Sequence, residues 1–485
     1  MPNTLWIEVD DLFEYATHAR RPSGIQRVAF EIGRALQAEP ARVRFTRYGS
    51  ERAPIEIVPF ADVAALFERL SRTPRPPSGS SVLAPALPPT SAPRRALHRA
   101  LRRAPREIRE AVLGFARAER DALLAFRALA AALALPGARR STRPTAPTAT
   151  TPAAATPARE NAASFPILAA PGAAPGDVFL VLGSPWYRAD YAAFIENLRR
   201  HHGIRLAVLM HDVMPLQHPE WCARIVIETF RLWFASVLPL ADTIFATCAA
   251  TARDIEAEAA RLGVALAAPV RPVPLGTGFG APPSETKPPE TPPPANFPAP
   301  NSYALTVSTL EPRKNHALLL RVWQRLLADL PAASVPTLVF AGRIGWMTGD
   351  LIQQLVNADW LGGKIRLIED PTDAEIAALY RGALFTLLPS FAEGWGLPVS
   401  ESLAFGKPCL AADRPSLREA GGALARYFDP DNLHDAFRVI QRTIADPAGL
   451  AAWEEQVRRE FYPTPWPATA RAILSGLGQN GSAYG

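Results

Sequence analysis

The chain has 485 residues, 48% of them hydrophobic, and its 52 basic and 46 acidic residues leave a formal net charge of +6. That length is too great for one core and implies two or three domains, and the hydrophobic share suffices for ordinary packing. The three cysteines, Cys222, Cys248 and Cys409, form no CxxC pair and no disulfide framework, which sets aside the small secreted scaffolds and points to a reducing cytoplasm. The start MPNTLWIEVDDL has neither a basic n-region nor an apolar core, so no signal peptide is expected, and no apolar run of about eighteen residues is present to span a membrane.

In chain order, 4–12 read as a first strand and 25–38 as a helix, with the turn RRPSG between them ending in Gly24. Segments 71–95 and 136–176 are rich in Pro, Ala, Thr and Arg and read as linkers. Between them 94–135 reads as helical with a break at Pro105, and 94–140 holds twelve arginines against four acids. Leu97, Leu101, Ile108, Val112, Phe115, Leu123, Phe126 and Leu129 give it an apolar side. Strand-like runs at 177–183, 205–210, 243–248 and 271–276 then alternate with helical stretches, which is the rhythm of a parallel sheet. Proline-rich 281–300 reads as a hinge, and a second series of strands is expected at 303–310, 337–342, 364–369, 383–388 and 408–412. The expected organisation is a first Rossmann-like domain over 1–280 with an insertion at about 71–176, the linker, a second domain over 301–448, and terminal helices over 449–485.

Two acids stand out at the end of the 383–390 run: Glu393 and Glu401 in EGWGLPVSE. The following helix is expected to open at Pro398 and stop at Gly406, which places Glu393 in the turn and Glu401 in the first helical turn. In open α/β sheets ligands bind at the carboxyl edge of the strands. Each carboxylate there can accept from a pair of vicinal hydroxyls. About eighty residues upstream, Glu311-Pro312-Arg313-Lys314 fills the turn between a buried strand and the helix 315–330, for which Asn315 is the expected N-cap. The chain has only four lysines (Lys287, Lys314, Lys364 and Lys407), so a Lys beside an Arg here is not the habit of the composition. Two cations at a helix N-terminus suit a diphosphate. A molecule with two polyol ends and a charged middle, such as a nucleotide-sugar, fits the combination.

STLEPRKN followed by PSFAEGWGLPVSESLAFGKP resembles the carboxyl half of the retaining glycosyltransferases of family 4, which have the GT-B fold. PSGIQRVAFEIGRAL (22–36) is similar to that family's glycine loop and first helix, and VLMHDVMPLQHPEW (208–221) to its His-Asp segment. The resemblance covers roughly 1–60 and 175–480. It implies an α/β protein of two Rossmann-like domains facing across a cleft, with the terminal helices crossing back to the first domain. It implies retaining transfer from a nucleotide-sugar to a polysaccharide or lipid-linked glycan, with GDP-mannose the favoured donor and a UDP-sugar the alternative. The residues it assigns to catalysis are Glu393, Arg313, Lys314 and His211, and those to donor binding Gly24, Glu401, Gly394, Gly396 and Asp212. Asp212 is also read as orienting its loop.

No metal or cofactor is expected, because the cationic pair supplies the charge a divalent ion would. Asp429-Pro430-Asp431 spells a DxD, but Asp431 reads as an N-cap. His201 and His202 follow Arg199 and Arg200 at a helix C-terminus, where cations are favoured. The basic insertion admits three uses: peripheral contact with an anionic membrane carrying a polyprenol-linked acceptor, packing on this chain or a partner, or nucleic-acid binding. The first is favoured, and no groove-reading motif supports the last. A catalytically silent glycan-binding scaffold is the rival of another class, and the intact acids and cations argue against it.

Overall fold

The computed structural model describes residues 4–19, 21–50, 53–72, 172–278 and 297–479. The helical insertion expected over 94–135 and most of the 281–300 hinge lie outside the described residues. Met1–Pro77 and Phe165–Gly485 together form one compact unit.

That unit is built on two sheets. The first runs β3-β2-β1-β4-β5-β6-β7, from β1 (Leu5–Glu8), β2 (Val43–Ser50), β3 (Ala53–Val58), β4 (Val178–Val181), β5 (Arg205–Met210), β6 (Thr243–Ala246) and β7 (Val270–Pro272). All neighbours are parallel except β2 and β3. The second runs β10-β9-β8-β11-β12-β13 and is parallel throughout. Its strands are β8 (Tyr303–Val307), β9 (Thr337–Ala341), β10 (Ile365–Ile368), β11 (Phe385–Leu388), β12 (Cys409–Ala412) and β13 (Arg426–Phe428). These are the two Rossmann-like domains expected from the sequence.

The period of two explains why the strands read as unbroken apolar runs: both faces are covered. Leu5, Ile7, Leu180 and Leu209 join one core of the first domain, while Trp6, Phe179, Val181 and Val208 join the core on the opposite face. The same division places Phe340 and Leu387 with Trp323 on one face of the second sheet, and Leu305 and Val339 with Tyr380 on the other.

Three departures from the sequence reading have local causes. The first strand ends at Glu8 rather than continuing to 12, because Val9 turns out of the sheet and Asp10 and Asp11 open the helix Asp10–His18. Acids in a first turn complement the helix dipole. The hairpin β2–β3 and the helix Phe60–Arg72 were not anticipated. The last two helices divide. Pro447–Glu460 stays on the second domain, where Trp453 and Val457 are core residues. Only Trp466–Gln479 crosses to the first, burying Trp466, Ile473 and Leu477 in its core.

In each sheet the strand order reverses beside the first strand of its domain, between β1 and β4 and between β8 and β11. The loops leaving those strands line the crevices where open α/β sheets bind ligands. At the first crevice lies an acidic group. Burial, with Asp10 nearby, pushes the Glu8 carboxyl up to about 8, and burial pushes Asp10 and Asp11 up to about 6. Tyr191 Oη donates to Glu8 Oε2 at 2.5 Å. Folded-state values above the ordinary ones mean that the native chain holds protons the unfolded chain releases. This stability is complete below the ordinary carboxylate range and is lost as pH rises toward about 8. Thermal melts between pH 5.5 and 8.5 are therefore expected to show the first domain weakening as pH rises, with a shallower slope in Glu8→Gln.

Candidate functional site at the switch point of the second sheet

The loop after β8 is fixed before any functional side chain is considered. Leu310 bridges to Ile344, and its N–H donates to Arg343 O at 2.9 Å while Gly345 N donates back to Leu310 O at 2.8 Å. A single turn over Pro312–Lys314 follows, and Asn315 takes φ of 55° to enter the helix His316–Asp329. Asn315 occupies the N-cap position without capping through its side chain; instead Nδ2 donates to Pro430 O at 3.0 Å. The loop after β11 is stitched to this turn by Phe391 N donating to Arg313 O at 2.8 Å. The two switch-point loops therefore run side by side.

That register brings Glu393 against both cations. Arg313 Nη1 donates to Glu393 Oε2 at 2.8 Å and to Ala392 O at 3.0 Å, and Lys314 Nζ donates to Glu393 Oε1 at 2.5 Å. On its other side Arg313 Nε lies 2.6 Å from Glu311 Oε1. The side chains of Lys314 and Glu393 are only 10% and 7% exposed. Burial alone would raise the Glu393 carboxyl, but Lys314 and Arg313 outweigh it and hold it at about 2. Burial pulls Lys314 down, aided by Arg313 and opposed by Glu393. His316 behind them is held neutral, at about 3, by burial and by Lys314. The result is a buried carboxylate that is charged at any working pH, gripped by two cations at the mouth of a parallel sheet.

The other expected residues distribute differently. Glu401 does not join this cluster. The helix begins at Leu397, with Gly396 as its N-cap, so Glu401 is one residue further in than expected. It is buried, and Tyr380 Oη donates to its Oε2 at 2.9 Å. Burial raises its pKa against the pull of Arg27. Arg27, from the helix Gly24–Gln37 of the first domain, forms a fork with Asp373 at 2.6 and 3.0 Å. Glu401 thus belongs to a charged contact between the domains.

His211 and Asp212 follow β5 of the first domain and face the second. His211 Nε2 is 2.8 Å from Leu182 O, so the ring nitrogen nearest that carbonyl is already committed as a donor. Burial holds its pKa below the usual value. Asp212 Oδ1 accepts from Met214 N at 3.1 Å, which orients the loop, and its charge reaches Arg313. Ile25, Gly183, Trp186, His211 and Asp212 line a hollow beside them. Gly394 meets this segment so closely that a Cβ on it would stand 2.0 Å from His211 O. Gly396 has φ of +96° and its Cβ would meet Leu417 at 2.3 Å. Both glycines are explained by packing.

Gly24 is not. It opens its helix behind the capping box of Ser23 and Gln26, and an added Cβ would make only an ordinary 3.7 Å contact with Leu397. Gly24→Ala is therefore expected to change the melting temperature by no more than a degree or two. If a diphosphate approaches these amides, the same change lowers turnover, which steady-state kinetics and a melt on one preparation separate.

Two smaller readings are corrected. Asn432, not Asp431, caps the helix Leu433–Ala445, accepting from His434 N and Asp435 N at 3.0 and 3.1 Å. Asp431 instead pairs with Arg414 at 2.5 Å. Among the described residues no cluster of His, Cys, Asp and Glu is arranged to hold a metal ion, and no helix is long and apolar enough to cross a membrane.

Sequence reasoning missed Arg27–Asp373, Tyr380 and Glu419. Glu419 lies in the helix Pro415–Gly421, and its two oxygens accept from Ala249 N and Ala250 N of the first domain at 2.9 and 2.7 Å. It also missed a ring stack across the domain boundary: His218 on Trp221 at 4.2 Å and Trp221 on Phe391 at 5.6 Å. Trp346 Nε1 donates to Trp221 O at 2.6 Å beside that stack.

Residues 289–460 match the protein family described as Glycosyl transferases group 1. Over 260 residues, 52% of this chain, the sequence is 27% identical to the serotype-specific mannosyltransferase WbdA of Escherichia coli, with 31% of that protein covered. Over 144 residues, 30% of this chain, it is 33% identical to the O-antigen chain mannosyltransferase B of Escherichia coli, with 37% covered. The matched part spans about a third of the length of these curated relatives. Among solved structures, HepE of Anabaena in complex with UDP has a TM-score of 0.47 at 16% identity, over 63% of this chain and 79% of that one.

Proposed function

We propose that this chain transfers a sugar from a nucleotide-sugar to a polysaccharide or lipid-linked glycan, retaining the anomeric configuration, with GDP-mannose as the donor. One observation carries the reading: Glu393 lies between Arg313 and Lys314 at the switch point of the second sheet. The segment that matches the group 1 glycosyl transferases contains all three residues, and the relatives named as mannosyltransferases favour mannose.

The chemistry follows from charge. Transfer breaks the bond between the anomeric carbon and a phosphate oxygen, so positive charge grows on the sugar and negative charge on the diphosphate. Arg313 and Lys314 are placed to stabilise the latter. Preorganised charges aimed at charge that develops are the largest catalytic effect available without covalent chemistry. A diphosphate there competes with Glu393 for the same two cations. Once displaced, the Glu393 carboxylate can accept from sugar hydroxyls and favour the oxocarbenium-like carbon. The acceptor oxygen bonds that carbon on the face the leaving group quits, and its proton passes to the leaving phosphate oxygen, so no protein base is assigned. Gly24 supplies backbone amides to the diphosphate, His211 lies on the sugar side, and Glu401 takes the ribose only if the Arg27–Asp373 contact opens.

The deciding experiment incubates purified full-length chain with a panel of nucleotide-sugars and mannose-terminated oligosaccharides and reads product anomers by NMR. An α-linked product from GDP-mannose is expected. Transfer from UDP-sugars alone would reassign the donor, an inverted product would remove the retaining assignment, and no transfer from any donor would favour the silent scaffold. We further propose a cytoplasmic protein whose 94–135 segment contacts the membrane carrying a lipid-linked acceptor. Binding to anionic vesicles at low salt, lost on deleting 94–140, supports this, and indifference to such vesicles removes it.

A further inference from the structure

Three consecutive carbonyls around Glu393 are each held by a different part of the chain. Arg313 Nη1 donates to Ala392 O at 3.0 Å, and Ser416 Oγ donates to Glu393 O at 2.7 Å. Both donors belong to the second domain. Gly394 O is held from the first domain, by Thr251 Oγ1 at 2.7 Å, with Thr247 Oγ1 and Cys248 Sγ each at 3.1 Å. A carbonyl has two lone pairs, and the short Thr251 bond is the strongest of the three contacts.

Thr251 sits on the opening turn of the helix Ala249–Leu262, Cys248 is its N-cap and Thr247 precedes it, and the amides of that turn need acceptors. Glu419 takes Ala249 N and Ala250 N, and Cys248 Sγ takes Thr251 N at 3.3 Å. Glu419 and Ser416 are three residues apart on the helix Pro415–Gly421, on one face. One helix of the second domain therefore grips the Glu393 backbone with Ser416 and the first domain with Glu419. The next residues continue the link: Trp395 packs against the cores of both domains, and Leu397 against that of the first.

We infer that the opening turn of the Ala249–Leu262 helix is a latch, through which closure of the first domain fixes the backbone that aims Glu393. Thr251 is a positioning residue and Glu419 is the charged half of the latch. With the domains apart, Gly394 O loses its first-domain donors and Glu393 keeps only the restraints of its own domain. This rests on the reading of Glu393 as the residue facing the donor sugar, but the latch has a signature that does not need activity.

The test uses the full-length chain and the variants Thr251→Val, Thr251→Ser and Glu419→Gln. Valine keeps the shape and removes the donor, whereas serine keeps the donor. Thr251→Val is expected to lower kcat about tenfold, the weight of one buried hydrogen bond, with donor KM nearly unchanged. Amide exchange of residues 391–396 is expected to quicken in Thr251→Val and Glu419→Gln and to return to the wild-type rate in Thr251→Ser. Wild-type exchange in Thr251→Val and Glu419→Gln would overturn the latch, as would equal damage from valine and serine. Absence of sugar transfer by the unaltered protein would instead remove the functional reading, with the exchange result still deciding the latch.

Discussion

Glu393→Ala is expected to lower turnover by about a hundred- to a thousand-fold, the range for removing one preorganised electrostatic group from an active site. It is also expected to destabilise the second domain. Arg313 and Lys314 are mostly buried and share this carboxylate, and removing one partner of a buried ionic group costs about 3–5 kcal/mol because the remaining charge is left uncompensated. The fold is expected to survive with a lower melting temperature. The two effects separate with a ligand. A nucleoside diphosphate brings anionic oxygens to the same cations, so it should restore most of the lost melting temperature in Glu393→Ala without restoring turnover. Glu393→Gln keeps the shape but not the charge and should lie between. The pH signs support the pairing: the stability Glu393 contributes is present above the ordinary carboxylate range and is lost only as pH falls through about 2. Wild-type turnover in Glu393→Ala would show the role to be wrong.

The second large effect is on stability alone. Trp466 opens the helix that crosses back to the first domain and is buried in that domain's core. Gly276 makes room for its ring: a Cβ there would stand 2.3 Å from Trp466. Thr469 Oγ1 donates to Pro274 O at 2.6 Å and Arg271 Nη1 to Gly476 O at 3.1 Å, which ties the helix along β7 and the segment after it. Trp466→Ala should cost about 3–5 kcal/mol, the usual range for emptying a large aromatic from a core. Denaturant unfolding should show a first-domain transition at lower midpoint and an unshifted second. Turnover per folded molecule should stay near wild type at low temperature, because Trp466 packs in the first domain's core whereas Glu393 is held by Arg313, Lys314 and Ser416 of the second. Equal weakening of both transitions would mean that the crossing helix ties the domains together rather than completing one of them.

What the sequence disclosed follows the range of the interactions. Arg313, Lys314 and Glu393 were legible because each lies in a turn between a buried strand and a helix, and strand order alone brings such turns together at a switch point. Gly24 was read at a strand-to-helix junction, but the helix Asp10–His18 stands between β1 and the helix that Gly24 opens, so the turn before it joins two helices. Glu401 was placed on the right helix, one residue nearer its start than it is, and its partners Tyr380 and Arg27 come from other elements that the sequence does not bring beside it. Gly394 and Gly396 were found by pattern, but the close packing on His211 and Leu417 that leaves no room for a Cβ carried no local signal. Glu419, Thr251 and the Arg27–Asp373 fork carried no local signal. A surface acid on a short helix reads as solvated until the other domain is packed against it. The β2–β3 hairpin was missed because VRFTRYGS and APIEIV mix polar residues into their alternation, unlike the fully buried strands around them.

The most direct test of the account is a calorimetric titration of GDP-mannose into the wild-type chain and into Lys314→Ala. Saturable binding by wild type is expected, weakened at least tenfold in Lys314→Ala through loss of a charge-assisted contact to the diphosphate. Equal affinity in the two proteins, or no binding of any nucleotide-sugar by wild type, would contradict it.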